Sequence, residues 1–265
     1  MTRHKKRVWE LDFLRGFAIM MMVFDHLMYD LKSLPVWFAN FHDRTDNFIH
    51  GLADLAGLYW RSDLRAFGHF FFVALFLLVS GISFTFSKNN LKRGLKLAVV
   101  ATLISIITYV TDELTGLHVF ILFGIIHMFA FGILLTYLLR WIWDNDVFML
   151  IMGTTIVVIG IWFDFMNLAY AGPLDVDAML KVILGIRWYG ADHFGLFPYA
   201  GVIMIGTVIG NRFYHAKVSL VPQLKKRWQS SVLWSGRHSL WIFLFHQPVL
   251  MALVFAVMYL FGYHI

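Results

Sequence analysis

Long apolar runs, broken by short polar turns, dominate the hydrophobic pattern of this chain. Seven such runs lie at about 11–30, 66–87, 95–111, 119–141, 147–166, 196–213 and 236–262, each close to the ~20 residues that a bilayer-crossing helix requires. Lys88–Lys96, Asp112–Gly116 and Asp144–Asp146 mark tight connections. Two longer stretches, 32–64 and 167–195, are richer in polar and aromatic residues, and FIHGLADLAGLYW at 48–60 predicts a short interfacial helix. In the sixth run Gly206 and Gly210 form a small-xxx-small pattern that favours close helix contact, and Gly201 adds to it. With no tandem repeat and no soluble module, the pattern predicts an all-α, polytopic membrane helix bundle. It has about seven transmembrane helices and a single transmembrane domain over 1–265.

Composition agrees with that reading. Of the 265 residues 60% are hydrophobic and 14% charged, against about a quarter charged in soluble domains. The chain has no cysteine, so neither disulfides nor thiolate metal ligation arise, and no metal site is read. The charged cluster Thr2–Arg7 precedes the first apolar run without a small-residue cleavage site, so that run reads as a retained first span. The formal charge of +6 does not point to nucleic acid; its placement is more informative. Threading seven spans puts sixteen of the 22 Lys and Arg residues on the N-terminal side and six on the other. Basic residues concentrate in cytoplasmic loops, which predicts a cytoplasmic N-terminus, a C-terminus outside, and both long loops facing outward.

The first run carries more charge than a lipid-facing helix tolerates. In LDFLRGFAIMMMVFDHLMYD, positions Asp12, Arg15, Ile19, Met22, His26 and Asp30 step by three or four and so share one helical face. Arg15 and His26 point the same way about 16 Å apart along the axis. Ionisable groups inside a bilayer face protein or water and mark function; the plainer alternative is an Arg15 that snorkels and a His26 that bonds a neighbouring helix. His127 and His246 sit near the middle of their own runs. Three such histidines suit a general base or proton relay, two would suit haem ligation, and each alone also suits packing. Lys92, Arg93 and Lys96 precede the third run, and Lys225, Lys226, Arg227 and Arg237 precede the seventh. The positive-inside bias and anionic lipids account for most of them; the functional alternative is a basic mouth for a phosphorylated ligand. No P-loop or Rossmann glycine pattern accompanies them.

The opening LDFLRGFAIMMMVFDH resembles the first helix of the transmembrane acyltransferase superfamily. LFLLVSGISF (75–84), LKRGLK (91–96), FGIIHMFA (123–130), DHFGLFPYAGVIMIGTVIG (192–210) and GRHSLWIFLFHQPVL (236–250) are similar to the bacterial branch of a narrower family, that of the heparan-alpha-glucosaminide N-acetyltransferase catalytic domain. The resemblance implies an integral-membrane acyltransferase that moves an acetyl group from cytoplasmic acetyl-CoA to an amine or hydroxyl of a sugar, glycan or lipid-linked acceptor on the far side. It implies that Arg15, with Arg93, Lys96 and Arg237, holds the CoA end. His26 would be the acid/base, Asp30 its orienting partner, and His127, His246 and Gln247 the pocket lining. The family's lysosomal enzymes place a catalytic histidine after the first span, which makes His42, His50 and His69 alternative bases. A bacterial inner membrane is the expected location, membrane lipids are expected partners, and homo-oligomerisation is left open. The competing class is a proton- or ion-coupled transporter that uses the Asp/Arg/His stripe; internal symmetry would favour it, and none is found.

Overall fold

The computed structural model describes residues 7–116, 118–166, 169 and 172–265; the basic residues Arg3, Lys5 and Lys6 lie outside the described residues. Ten α-helices and no strands are present among the described residues: α1 Trp9–Trp37, α2 Asn47–Trp60, α3 Asp63–Phe84, α4 Asn90–Thr115, α5 Ile125–Ile142, α6 Asp146–Met166, α7 Val176–Leu184, α8 Leu196–Phe213, α9 Ser230–Arg237 and α10 Ser239–Leu260. Six of them, α3, α4, α5, α6, α8 and α10, are long and apolar enough to cross a membrane. Helix α1 has 29 residues but falls short on composition, because Asp12, Arg15, Asp25 and Asp30 interrupt its apolar character. The architecture is a polytopic helical bundle. Its lipid-type surface is visible on α4, where Leu95, Val99, Leu103, Ile107, Val110 and Leu114 are exposed, and on α10, where Trp241, Phe245, Val249, Leu253 and Val257 are exposed. Both sets recur at helical spacing. Continuous apolar stripes of this kind are rare on water-soluble monomers.

The chain divides into two compact units, 1–76 with 221–265, and 77–220. In the first, α1 is the central helix and packs against α2, α9 and α10. Its contact with α9 is backbone on backbone: a Cβ on Gly16 would lie 1.9 Å from the Val232 carbonyl oxygen, and one on Gly236 would lie 1.7 Å from that of Asp12. Only glycine allows helices to approach this closely. At its other end α1 shares an apolar cluster with α2 and α10, made of Leu34, Phe38, Ile49, Ala53, Val254 and Met258 among others. Hydrogen bonds then tie the chain's end to the turn after α1, with Ala39 N–H donating to the His264 carbonyl at 3.0 Å and the Asn40 side-chain Oδ1 accepting from His264 N–H at 3.0 Å.

In the second unit α8 packs against α5 and α6, and α4 against α5. The glycines of α8 perform the close approach expected of them. Gly206 meets Gly81 and the Leu78 carbonyl of α3, Gly210 meets Ile82 and Thr85, and Gly201 faces Gly153 of α6. Arg140 closes one end of this unit: it donates to Asp144 at 2.7 Å, Asp146 at 2.9 Å and the buried Thr207 hydroxyl at 2.8 Å.

Several elements depart from the sequence expectation: α1 runs on to Trp37, and α4 takes in 90–96 and 112–115, which the sequence pattern assigns to connections. The fourth span begins at Ile125 rather than near 119, because the preceding backbone is committed elsewhere. Val119 N–H donates to Asp112 at 2.7 Å, Ile121 N–H to Thr108 at 3.1 Å, and the Ile121 carbonyl accepts from Ser105. The seventh run is broken at His238, whose backbone is non-helical (φ −107°, ψ 15°), so Arg237 ends α9 instead of opening the last span. Within 167–195 an additional helix, α7, is capped by Asp175, whose carboxylate accepts from Ala178 N–H at 2.7 Å. The short helix expected at 48–60 is α2.

Candidate active site

The polar stripe of α1 faces α9 and α10 and gathers residues from both ends of the chain. At its N-terminal end Arg15 donates to Asp12 at 3.2 Å. The other oxygen of Asp12 lies 3.6 Å from Arg237 Nε and 3.9 Å from Arg7. The glycine contact produces this arrangement: Gly16 follows Arg15, Gly236 precedes Arg237, and pressing the two glycines together brings both arginines to Asp12. Three guanidinium groups around one carboxylate leave an excess of positive charge, which suits a phosphorylated ligand.

Three turns further along α1, His26 meets His246 of α10 edge to face, with ring centroids 4.6 Å apart. His26 Nδ1 is 2.9 Å from the Met22 carbonyl. A carbonyl only accepts, so Nδ1 carries the proton and Nε2 presents a lone pair. His246 is arranged alike, with Nδ1 2.8 Å from the Phe243 carbonyl. Asp30, fully buried, accepts from Gln247 Nε2 at 2.7 Å. It does not bond to His26; the Met22 carbonyl orients that ring instead. Asp30 Oδ2, Gln247 Oε1 and His246 Nε2 are all buried without a hydrogen-bond partner among the described residues. Unsatisfied buried polar atoms are costly and rare, and these three, with His26 Nε2, are all acceptors. The cluster is complementary to a donor-rich group such as a hydroxyl or an amine.

Asp25, one residue before His26, points to another face of α1 and organises a second cluster. Arg65 grips it with Nε at 3.0 Å and Nη2 at 2.9 Å, Tyr59 donates its phenol at 3.1 Å, and His69 Nδ1 lies 3.3 Å away. Burial, followed by the Asp25 charge, pushes the Tyr59 phenol up to about 12, so it remains a donor. The His69 ring is backed by a carboxylate at Nδ1, as acid/base histidines commonly are. Sequence reasoning named His69 but not Arg65, because the second span was drawn from 66. Helix α3 begins at Asp63, which makes Arg65 and His69 neighbours four residues apart.

The remaining candidates divide as follows. His42 and His50 flank Phe41: His42 meets its ring edge-on, and His50 stacks on it while bonding its carbonyl at 3.0 Å. Arg93, Lys96 and His127 belong to the second unit. Arg93 donates to the buried Ser80 hydroxyl at 3.0 Å, and Lys96 is exposed. His127 Nδ1 accepts from Gly124 N–H at 3.3 Å and its Nε2 faces Ser105 at 2.9 Å. Both ring nitrogens are therefore engaged within the α4–α5 pair, and His127 reads as a packing histidine there.

The description "heparan-alpha-glucosaminide N-acetyltransferase, catalytic" belongs to a family model that matches residues 7–248. The chain belongs to that family. The match runs through both compact units and covers every candidate residue named above. No curated protein and no solved structure matches the chain. Family membership and the six apolar helices together make this an acetyltransferase of the integral-membrane kind.

Proposed function

We propose that the protein transfers an acetyl group from acetyl-CoA, held at the cytoplasmic face, to a hydroxyl or amine of a sugar, glycan or lipid-linked acceptor on the opposite side of a bacterial inner membrane. One observation carries this reading: a single face of α1 presents Arg15 and Arg237 around Asp12 at one end and His26 with His246, Asp30 and Gln247 about 16 Å further along. The N-terminal end, with its surplus of guanidinium groups, holds phosphate. The other end holds the acceptor, whose O–H or N–H groups satisfy Asp30 Oδ2, Gln247 Oε1 and His246 Nε2. His26 Nε2 takes the proton from the acceptor O–H or N–H as the acceptor's bond to the acetyl carbon forms and the carbon–sulfur bond of the thioester breaks, and it gives that proton to the departing CoA thiolate. Acetyl-CoA supplies the activated acetyl thioester when bound. Arg93 and Lys96 carry the same phosphate-binding expectation from the family resemblance alone.

A second assignment of the base has a specific observation in its favour. His69 is backed by Asp25, whereas His26 is backed by a backbone carbonyl. Acetyl transfer from acetyl-CoA to glucosamine or to a lipid-linked sugar, measured with detergent-purified protein and its His26→Ala and His69→Ala variants, separates the two. Loss of turnover with retained acetyl-CoA binding in His26→Ala supports the first assignment, and the same result confined to His69→Ala supports the second. No transfer and no acetyl-CoA binding by folded wild-type protein overturns the proposal.

A further inference from the structure

Asp25, Tyr29 and Lys32 fall at i, i+4 and i+7 on α1 and so share a face, about 100° around the helix from His26. That face is a cation-rich aromatic platform. Lys32 Nζ stands 4.6 Å from the centre of the Tyr29 ring and 4.8 Å from that of Trp60. The Arg65 guanidinium stacks on the same Trp60 at 3.7 Å, and the Tyr29 and Trp60 rings are 5.2 Å apart. The platform holds two cations and one carboxylate. Asp25 is already saturated by Tyr59, Arg65 and His69, and Lys32 forms no ion pair among the described residues. Arg65 spends only its Nε and Nη2 edge on Asp25, which leaves Nη1 and the second Nη2 hydrogen directed elsewhere. Rings beneath a cation attract it through their quadrupole without neutralising its charge.

We infer that Lys32 and Arg65 form a phosphate-binding site, floored by Trp60 and Tyr29, on a face of α1 separate from the His26 cluster. A tetrahedral anion with several oxygens matches a point-charge ammonium beside a partly used guanidinium fork. The rings suit the apolar or sugar body attached to that phosphate. Two sources share this chemistry, a phospholipid headgroup and a phosphate on the acceptor.

The test titrates dodecyl phosphate into the full chain in uncharged maltoside micelles and follows the heat of binding, with dodecanol as the control. The site predicts saturable binding of the phosphate and none of the alcohol. It predicts affinity reduced about tenfold in Lys32→Gln, the loss of one charge-assisted contact, and restored in Lys32→Arg. Competition distinguishes the sources: displacement by soluble glucose 1-phosphate assigns the site to the acceptor, and displacement by phosphatidylglycerol alone assigns it to lipid. Equal binding by wild type and a folded Lys32→Gln, or no saturable binding at all, overturns the inference. Neither acyl-CoA nor turnover enters the measurement, so its outcome is independent of the acetyl-transfer reading.

Discussion

Replacing Gly236 by Ala perturbs the Arg15–Asp12–Arg237 cluster through the contact that builds it. The added Cβ would lie 1.7 Å from the Asp12 carbonyl oxygen, 2.7 Å from its carbon and 3.0 Å from Gly16 N. All three are backbone atoms and cannot rotate aside. Ordinary contact begins at 3.4 Å, so α9 must retreat by about 1.7 Å, and overpacking against fixed neighbours costs ~1–3 kcal/mol. Arg237 moves with its neighbour, and its 3.6 Å approach to Asp12 is lost. The expected outcome is a melting temperature lowered by several degrees and acetyl-CoA affinity reduced about tenfold, one charge-assisted interaction's worth. Gly51→Ala is the matched control: among the described residues nothing lies within 4 Å of its added Cβ. In the exposed middle of α2 the change removes backbone freedom and adds up to ~1 kcal/mol of helix stability. Melting followed by tryptophan fluorescence, together with equilibrium acetyl-CoA binding, reads both variants. A Gly236→Ala protein with wild-type stability and affinity would refute the idea that this glycine contact sets the arginines.

Other expectations follow from single interactions. Thr207→Val leaves Arg140 without the buried hydroxyl that accepts from it at 2.8 Å and should lower stability by ~1–3 kcal/mol, read as a reduced midpoint in thermal or denaturant unfolding. His193, in the turn before α8, is held below its ordinary pKa by burial first, while Nε2 bonds the Val182 carbonyl at 2.8 Å. Since the native pKa is the lower one, the unfolded chain takes the proton first, and stability falls as pH drops below about 6.5. His193→Gln keeps a donor but cannot titrate, so melting curves from pH 8 to 5 should decline less steeply than those of the wild type.

Much of the fold was legible because bilayer length and helical period act on the sequence directly. Six of the seven long runs each lie on one helix, the seventh divides at His238 between α9 and α10, and the stripe from Asp12 to Asp30 faces protein, as its charge demands. The pairing of Arg15 with Arg237 was only half legible. Both residues were singled out, yet that the RG of α1 and the GR of α9 interlock depends on which helices touch, and no local pattern encodes that. The Asp25–Arg65 pair escaped because Arg65 was placed in a loop. Its spacing of four from His69 and the Asp63 ahead of it were the available signals for an earlier helix start. The delayed start of α5 rests on hydrogen bonds from Asp112, Thr108 and Ser105, which are long-range choices invisible to periodicity. Helix α7 was better marked, with Asp175 as its cap and Gly185 after its last turn.

The most direct measurement of the central claim is acetyl-CoA binding and acetyl transfer by the purified protein beside Arg15→Ala and His26→Ala. The account predicts weakened acetyl-CoA binding in Arg15→Ala, and in His26→Ala unchanged binding with transfer reduced by a factor of about 10²–10⁴, the range for a lost general base. Wild-type transfer rates in His26→Ala, or donor binding indifferent to Arg15, would contradict it.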